Sequence, residues 1–244
     1  MGGRLDEKIP VEDSWQKTNE AAEKIKAPKH VRRYRTLVFQ TYLVISLSLF
    51  FILALLASTI AYFPIDILIT QSFQALEITG LGSLLYIVSF IGYAPQIFFV
   101  AGIVVFILYY FGFYREALAA IIFAGISQVL NTLLKFFIQR PRPSNDLVDV
   151  ITELQGYSFP SGHVMFYVGF FGFLAFLSFT LLKQSWLRTI LLVIFVSLVV
   201  LVGPSRVYLG EHWASDVLGA YLVGSLTLIF YIHMYRLDRA RQKK

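Results

Sequence analysis

The sequence predicts an all-α integral membrane protein with six transmembrane helices and a short interfacial helical segment between the first and the second. Three observations predict it. Of 244 residues, 57% are hydrophobic and 15% charged, with mean hydropathy +0.67; a soluble domain is roughly 45–50% apolar and about 25% charged. Several stretches lack any Asp, Glu, Lys or Arg and are long enough to cross a bilayer as a helix, which takes about 20 residues. The basic residues are distributed as a membrane topology requires. The same composition argues against an ordinary cytosolic enzyme and a disordered chain. The absence of cysteine excludes a disulfide framework, a thiolate metal site and cysteine catalysis.

Taken in order, residues 1–36 read as a cytoplasmic tail of mixed charge, nine basic and six acidic residues, with Lys29–Arg35 as a secondary candidate for lipid headgroups. Leu37–Phe63 is the first span, 27 residues without a charge and far too long for the apolar core of a signal peptide. The 37 charge-free residues Ile78–Tyr114 divide at Gly92-Tyr93-Ala94-Pro95, where proline ends a helix. The 14 residues before the break are short for a crossing and suit an interfacial piece; the 19 after it form the second span. Ala117–Leu134, Val164–Leu182, Thr189–Ser205 and Val217–Tyr235 follow, each 17 to 19 residues long. The chain therefore divides into a tail at 1–36, a membrane domain at 37–235 and a second cytoplasmic tail at 236–244.

Charge supports this topology. Six spans put both termini on one side, and 17 of the 21 Lys and Arg residues then fall on that side, as the positive-inside rule demands. Four remain for the outer face: Lys135, Arg140, Arg142 and Arg206. Cations placed against the rule require another explanation.

Three polar clusters at helix ends supply one, and the topology puts all three on the outer face. Lys135 through Arg140-Pro141-Arg142-Pro143 closes the third span, Pro160-Ser161-Gly162-His163 opens the fourth, and Ser205-Arg206 closes the fifth ahead of His212 and Asp216. Lys135, Arg142 and Arg206 repel one another at the edge of a low-dielectric slab unless they share an anion. Arginine grips two phosphate oxygens with its fork, and lysine adds a point charge. Ser161 and Gly162 lie at a helix N-terminus, whose free N–H groups favour a phosphate. His212 and Asp216, four apart, are expected to share a helix face. A carboxylate bonded to one ring nitrogen leaves the other as a nucleophile. His163 comes from another span and suits proton donation to a leaving oxygen. Each piece has a bland alternative: a helix-end ion pair, a snorkelling lysine, or a solvated loop charge. Arg140 falls outside the phosphate spacing and reads as a snorkelling or assisting cation. Glu211 reads as tuning its neighbour or simply exposed. Gln128 and Asn131, on the Lys135 face, read as interhelical hydrogen-bonding groups. No role is assigned to His30 or His233. The joint order and sidedness of the clusters favour one site. The two histidines have a single certain carboxylate partner, so a metal site is not expected.

The series resembles the three signature motifs of the type 2 phosphatidic acid phosphatase superfamily, K-x6-R-P, P-S-G-H and S-R-x5-H-x3-D, in its integral-membrane lipid phosphatase branch. Here they read Lys135 to Arg142-Pro143, Pro160-Ser161-Gly162-His163, and Ser205-Arg206 with His212 and Asp216. The motifs cover about 80 residues, and the span pattern extends the likeness over Leu37–Tyr235. The resemblance implies hydrolysis of a lipid phosphomonoester or diphosphate through a phosphohistidine, without metal or other cofactor. It implies His212 as nucleophile, Asp216 as its orienter, and His163 as general acid and then base. It implies Lys135, Arg142, Ser161, Gly162 and Arg206 as the phosphate cradle. Expected substrates are undecaprenyl diphosphate, phosphatidate or phosphatidylglycerophosphate, taken from the bilayer at the outer face of a bacterial inner membrane; no nucleic-acid partner is expected. The rival readings are a phosphotransferase of the same family, a transporter, and a non-catalytic lipid-phosphate binder. A transporter predicts mid-membrane ionisable residues and often an internal repeat, and neither is seen. A non-catalytic binder predicts a lost nucleophile or acid, and both are present.

Overall fold

The computed structural model describes residues 29–241; the expected tail residues 1–28 and 242–244 lie outside the described residues. Eight helices and no strand occur among the described residues: α1 (Lys29–Thr59), α2 (Pro64–Gln74), α3 (Leu81–Phe90), α4 (Gln96–Tyr110), α5 (Tyr114–Ile138), α6 (Gly162–Leu181), α7 (Trp186–Tyr208) and α8 (Ala214–Arg241). Five of them, α1, α5, α6, α7 and α8, are long and apolar enough to cross a membrane. The expected second span, α4, has 15 residues. At 1.5 Å per residue that is about 22 Å, short of the ~30 Å hydrocarbon core. The single interfacial segment expected between the first two spans is two helices, α2 and α3. Helix α1 starts at Lys29, so regular structure reaches back into the stretch assigned to the tail.

The boundaries follow from local chemistry. Pro64 opens α2, where its missing N–H costs nothing, and Asp66 in the first turn accepts the Phe63 N–H at 3.2 Å. Helix α5 ends where Gln139 turns left-handed (φ 53°) and returns its N–H to Lys135 O; the prolines at 141 and 143 prevent continuation. Ser185 caps α7 by accepting the Arg188 N–H at 3.3 Å.

Helix α6 is the centre of the bundle, packed against α5, α7 and α8, and most of its length is buried. Its aromatic ladder of Tyr167, Phe170, Phe171 and Phe173 is almost wholly inaccessible. Helix α1 packs on α8 and α3 on α7, while α4 leans on α5 and buries none of its own residues. Its exposed Phe98, Phe99, Phe106 and Tyr110 are apolar all round, as a lipid-facing helix requires. The C-terminal ends of α5 and α7 and the N-terminal ends of α6 and α8 come together and position the site.

Candidate active site

Asp216 sits in the first turn of α8. Its Oδ2 accepts the Trp213 N–H that opens the helix, at 2.9 Å. His212 precedes α8 rather than riding on it, so the expected shared helix face is not how the two meet. Nδ1 of His212 stands 3.6 Å from Asp216 Oδ2, beyond a hydrogen bond. Ser158 fills the gap: its Oγ lies 3.2 Å from His212 Nδ1 and donates to Asp216 Oδ2 at 2.5 Å. A hydroxyl has one proton. Since that proton goes to the carboxylate, Ser158 Oγ can only accept from Nδ1, which therefore carries the ring hydrogen. The lone pair is left on Nε2, where Arg142 Nη1 approaches to 3.3 Å.

Arg142 also donates to the carbonyls of Gly156 (3.1 Å) and Glu211 (2.9 Å), and Lys135 Nζ to those of Tyr157 and Ser158. Lys135 thus turns inward instead of snorkelling. Ser161 is the N-cap of α6, with Gly162 and His163 in its first turn. The Oγ of Ser161 and the Nε2 of His163 are buried without a hydrogen-bond partner, a costly state unless a ligand completes them. A hydrogen bond to the Ser89 backbone holds the His163 ring, and Tyr93 stands edge-on to it, centroids 5.0 Å apart.

The cavity brings five expected residues together. A cleft of about 980 Å³ is walled by α4, α5 and α6 and lined at its head by Lys135, Arg142, Gly162, His163 and His212. Its remaining walls are largely apolar, with Gln128, Asn131 and Thr132 as polar exceptions on α5. Ser161, Asp216 and Arg206 stand behind it, fully buried. Arg206 pairs with Glu211, donates to Ser89 Oγ and lies 5.2 Å over the Tyr93 ring. Glu211 is therefore neither exposed nor loose, and Tyr93 Oη bonds its other oxygen. Asn131 bonds Pro160 O at 3.0 Å and Met165 Sδ at 3.2 Å, the interhelical role expected of it. A smaller, polar cavity of about 240 Å³ lies beyond Arg142, bordered by Asn145, Thr152, Glu153 and Glu211.

Arg140 corrects the reading as a snorkelling cation. It is 1% exposed and ion-paired to Asp216 Oδ1 at 2.6 Å and to Asp66 Oδ2 at 2.8 Å. Ser158, Asp66, Tyr93, Ser89 and Gly92 are the participants that sequence reasoning missed. A Cβ on Gly92 would fall 2.3 Å from His163 Cδ2, so only glycine lets the α3–α4 connection close over that ring. Gly210, at φ +68° just before Glu211 and His212, makes the turn that delivers them.

Burial pushes the His212 imidazole well below its usual range, and the Arg142, Lys135 and Arg206 charges push the same way. Arg142 is lowered as well, mainly by burial, with Asp216 opposing. For any reaction begun by attack from neutral His212, the active form then persists on acidification past the ordinary histidine range. The acid limb of kcat/KM, corrected for the substrate's own ionisation, is expected below about pH 6.5, the free imidazole value. A limb centred above that value contradicts the assignment.

Residues 113–240 match the PAP2 superfamily. Phosphatidylglycerophosphatase B of Bacillus subtilis (strain 168) is 37% identical over 137 residues, 54% of this chain and 66% of that relative; the match thus spans just under two thirds of the relative's length. A crystal structure of a transmembrane PAP2 type phosphatidylglycerolphosphate phosphatase from Bacillus subtilis superposes with a TM-score of 0.64 and 26% identity. That superposition covers 78% of this chain and 94% of the other.

Proposed function

This chain belongs to the PAP2 superfamily, and we propose that within it the protein is a metal-independent lipid phosphatase working through a phosphohistidine. The observation that carries the proposal is the Asp216–Ser158–His212 relay, which leaves a lone pair on Nε2 at the head of an apolar cleft beside two cations. The phosphoryl group sits against Lys135, Arg142 and the N-terminus of α6, with Arg206 behind. His212 Nε2 attacks phosphorus; the N–P bond forms as the P–O bond to the lipid breaks. His163 gives its proton to the leaving oxygen. It then takes a proton from water, which attacks the phosphohistidine and releases inorganic phosphate and free His212. The smaller cavity beyond Arg142 offers water and phosphate a route on the aqueous side.

The cleft is walled by largely apolar side chains of α4, α5 and α6, and the lipid reaches the site from within the bilayer with its chain along those walls. The names of the two relatives make phosphatidylglycerophosphate the first substrate to test, ahead of phosphatidate and undecaprenyl diphosphate. Six crossings, with α4 and its flanking turns as the second, place both basic termini in the cytoplasm and the site on the outer face of a bacterial inner membrane. A bilayer thinned locally around a short span accommodates α4.

Metal independence is the sharpest test. Asp216, the carboxylate beside His212, already serves Arg140, Ser158 and Trp213, and Glu211 is taken by Arg206 and Tyr93. Purified protein in detergent is expected to release phosphate from at least one of the three lipids at the same rate with and without EDTA. Loss of activity in EDTA that only Mg²⁺ restores overturns the mechanism; release from none of them overturns the function.

A further inference from the structure

We propose that Asp66 and Arg140 are positioning residues of the reaction centre, holding the Asp216 carboxylate in the one orientation that serves His212. The inference rests on the phosphatase reading above and deepens it, bringing a residue 150 positions away from Asp216 into the site.

The geometry is specific. Asp216 uses its two oxygens differently. Oδ2 faces the reaction through Ser158 and Trp213 N, while Oδ1 is taken from behind by Arg140 Nη1 at 2.6 Å. Arginine and a carboxylate ordinarily prefer a bidentate pair, fork to fork. Such a pair would draw Oδ2 away from Ser158. Asp66 prevents it by occupying the other end of the fork, its Oδ2 2.8 Å from Arg140 Nη2. Arg140 is fixed further by Nε to Ala61 O at 3.1 Å and by Nη1 to Ser215 Oγ at 2.7 Å, with the Phe63 ring 4.7 Å from its guanidinium carbon. Asp66 is itself saturated: Ser215 donates its N–H to Oδ1 and its hydroxyl to Oδ2, and Phe63 N–H reaches Oδ2. The main chain of Arg140 adds to the same end, because its carbonyl accepts the Ser158 N–H at 2.8 Å. Both members of the relay behind His212, Asp216 and Ser158, are therefore held by one residue, and that residue is oriented by Asp66 from α2.

Purely structural ion pairs also look buried and satisfied, so the test must separate orientation from stability. Asp66→Asn is expected to lower kcat about 10- to 100-fold, the scale seen when a residue that orients a reacting group is removed, with KM and inhibition by inorganic phosphate changed less than about twofold. In an Asp216→Asn background the same substitution is expected to cost less than about twofold, because residues acting as one unit are not additive. Losses that multiply across the two backgrounds, a loss carried in KM, or no loss at all overturn the proposal. If Asp66→Asn does not fold, Ser215→Ala removes only the hydroxyl between Asp66 and Arg140. It is then expected to lower kcat several-fold in the wild type and not in Asp216→Asn, and equal losses overturn the proposal. Wild-type protein inactive on every lipid phosphate defeats the phosphatase reading instead, so the two failures are distinguishable.

Discussion

Replacing His212 with alanine is expected to abolish phosphate release, by a factor of at least about 10⁴ in kcat, on the scale seen when a covalent nucleophile is removed. The reason is geometric. No other side chain at the head of the cleft presents a lone pair oriented by a buried carboxylate. His163 lacks such a partner, Ser161 Oγ has no base bonded to it, and Lys135 spends its Nζ protons on two carbonyls. The substitution opens a small space in a polar region and leaves Lys135, Arg142 and the end of α6 in place. The variant should therefore still bind a phosphate-headed lipid with near-normal affinity. Quenching wild-type turnover of a lipid labelled in the phosphate should trap label on the protein in an acid-labile, base-stable form, as a phosphoramidate requires. The variant should trap none. His212→Ala working within tenfold of wild type, or wild-type label that survives acid, removes His212 as the nucleophile.

How much of this was legible beforehand depended on the range of the forces involved. The long helices were readable because a bilayer imposes a length and a composition on every crossing. Five of the six charge-free runs accordingly fall inside α1, α5, α6, α7 and α8, apart from the ends of two, while Ile78–Tyr114 spans α3 and α4. Lys135 and Arg142 were legible as cations that the six-span expectation leaves opposite the basic tails, and His163 and His212 as histidines beside polar clusters at expected helix ends; the structure brings all four to one cleft. What failed to show was long-range pairing. Arg140 looked superfluous beside Arg142, since its partners lie 74 and 76 residues away. Asp66 was not singled out, and α2 was passed over because it begins where the first charge-free run, Leu37–Phe63, ends. Ser158 gave no signal at all: a serine two residues before a proline is ordinary turn chemistry. The separation between His212 and Asp216 was misjudged for a related reason. A four-residue spacing implies a shared face only if both residues are helical, and Trp213, at the start of α8, places His212 in the turn before it.

His163→Ala should discriminate between substrates, which makes it the stronger test of mechanism. A lipid alkoxide is a poor leaving group and needs a proton as the P–O bond breaks. A lipid phosphate leaving from a diphosphate does not. General acid catalysis contributes about 10²–10⁴-fold, so the loss on phosphatidate or phosphatidylglycerophosphate should lie in that range. On undecaprenyl diphosphate the first step should be nearly spared. The second step is the same for every substrate, and there His163 acts as the base for water. With the diphosphate, the variant is therefore expected to form the phosphohistidine quickly and hydrolyse it slowly, so label accumulates on His212 where the wild type shows only a trace. The unpartnered, buried Nε2 of His163 beside the cleft supports both roles, since no described residue hydrogen-bonds it and so competes for its proton or its lone pair. Gly92 bears on the same point: Gly92→Ala would press a methyl group into the ring and displace the acid without removing it. Equal losses of His163→Ala on the monoester and the diphosphate, with no accumulated phosphoenzyme, would assign His163 to binding and require another source for the proton.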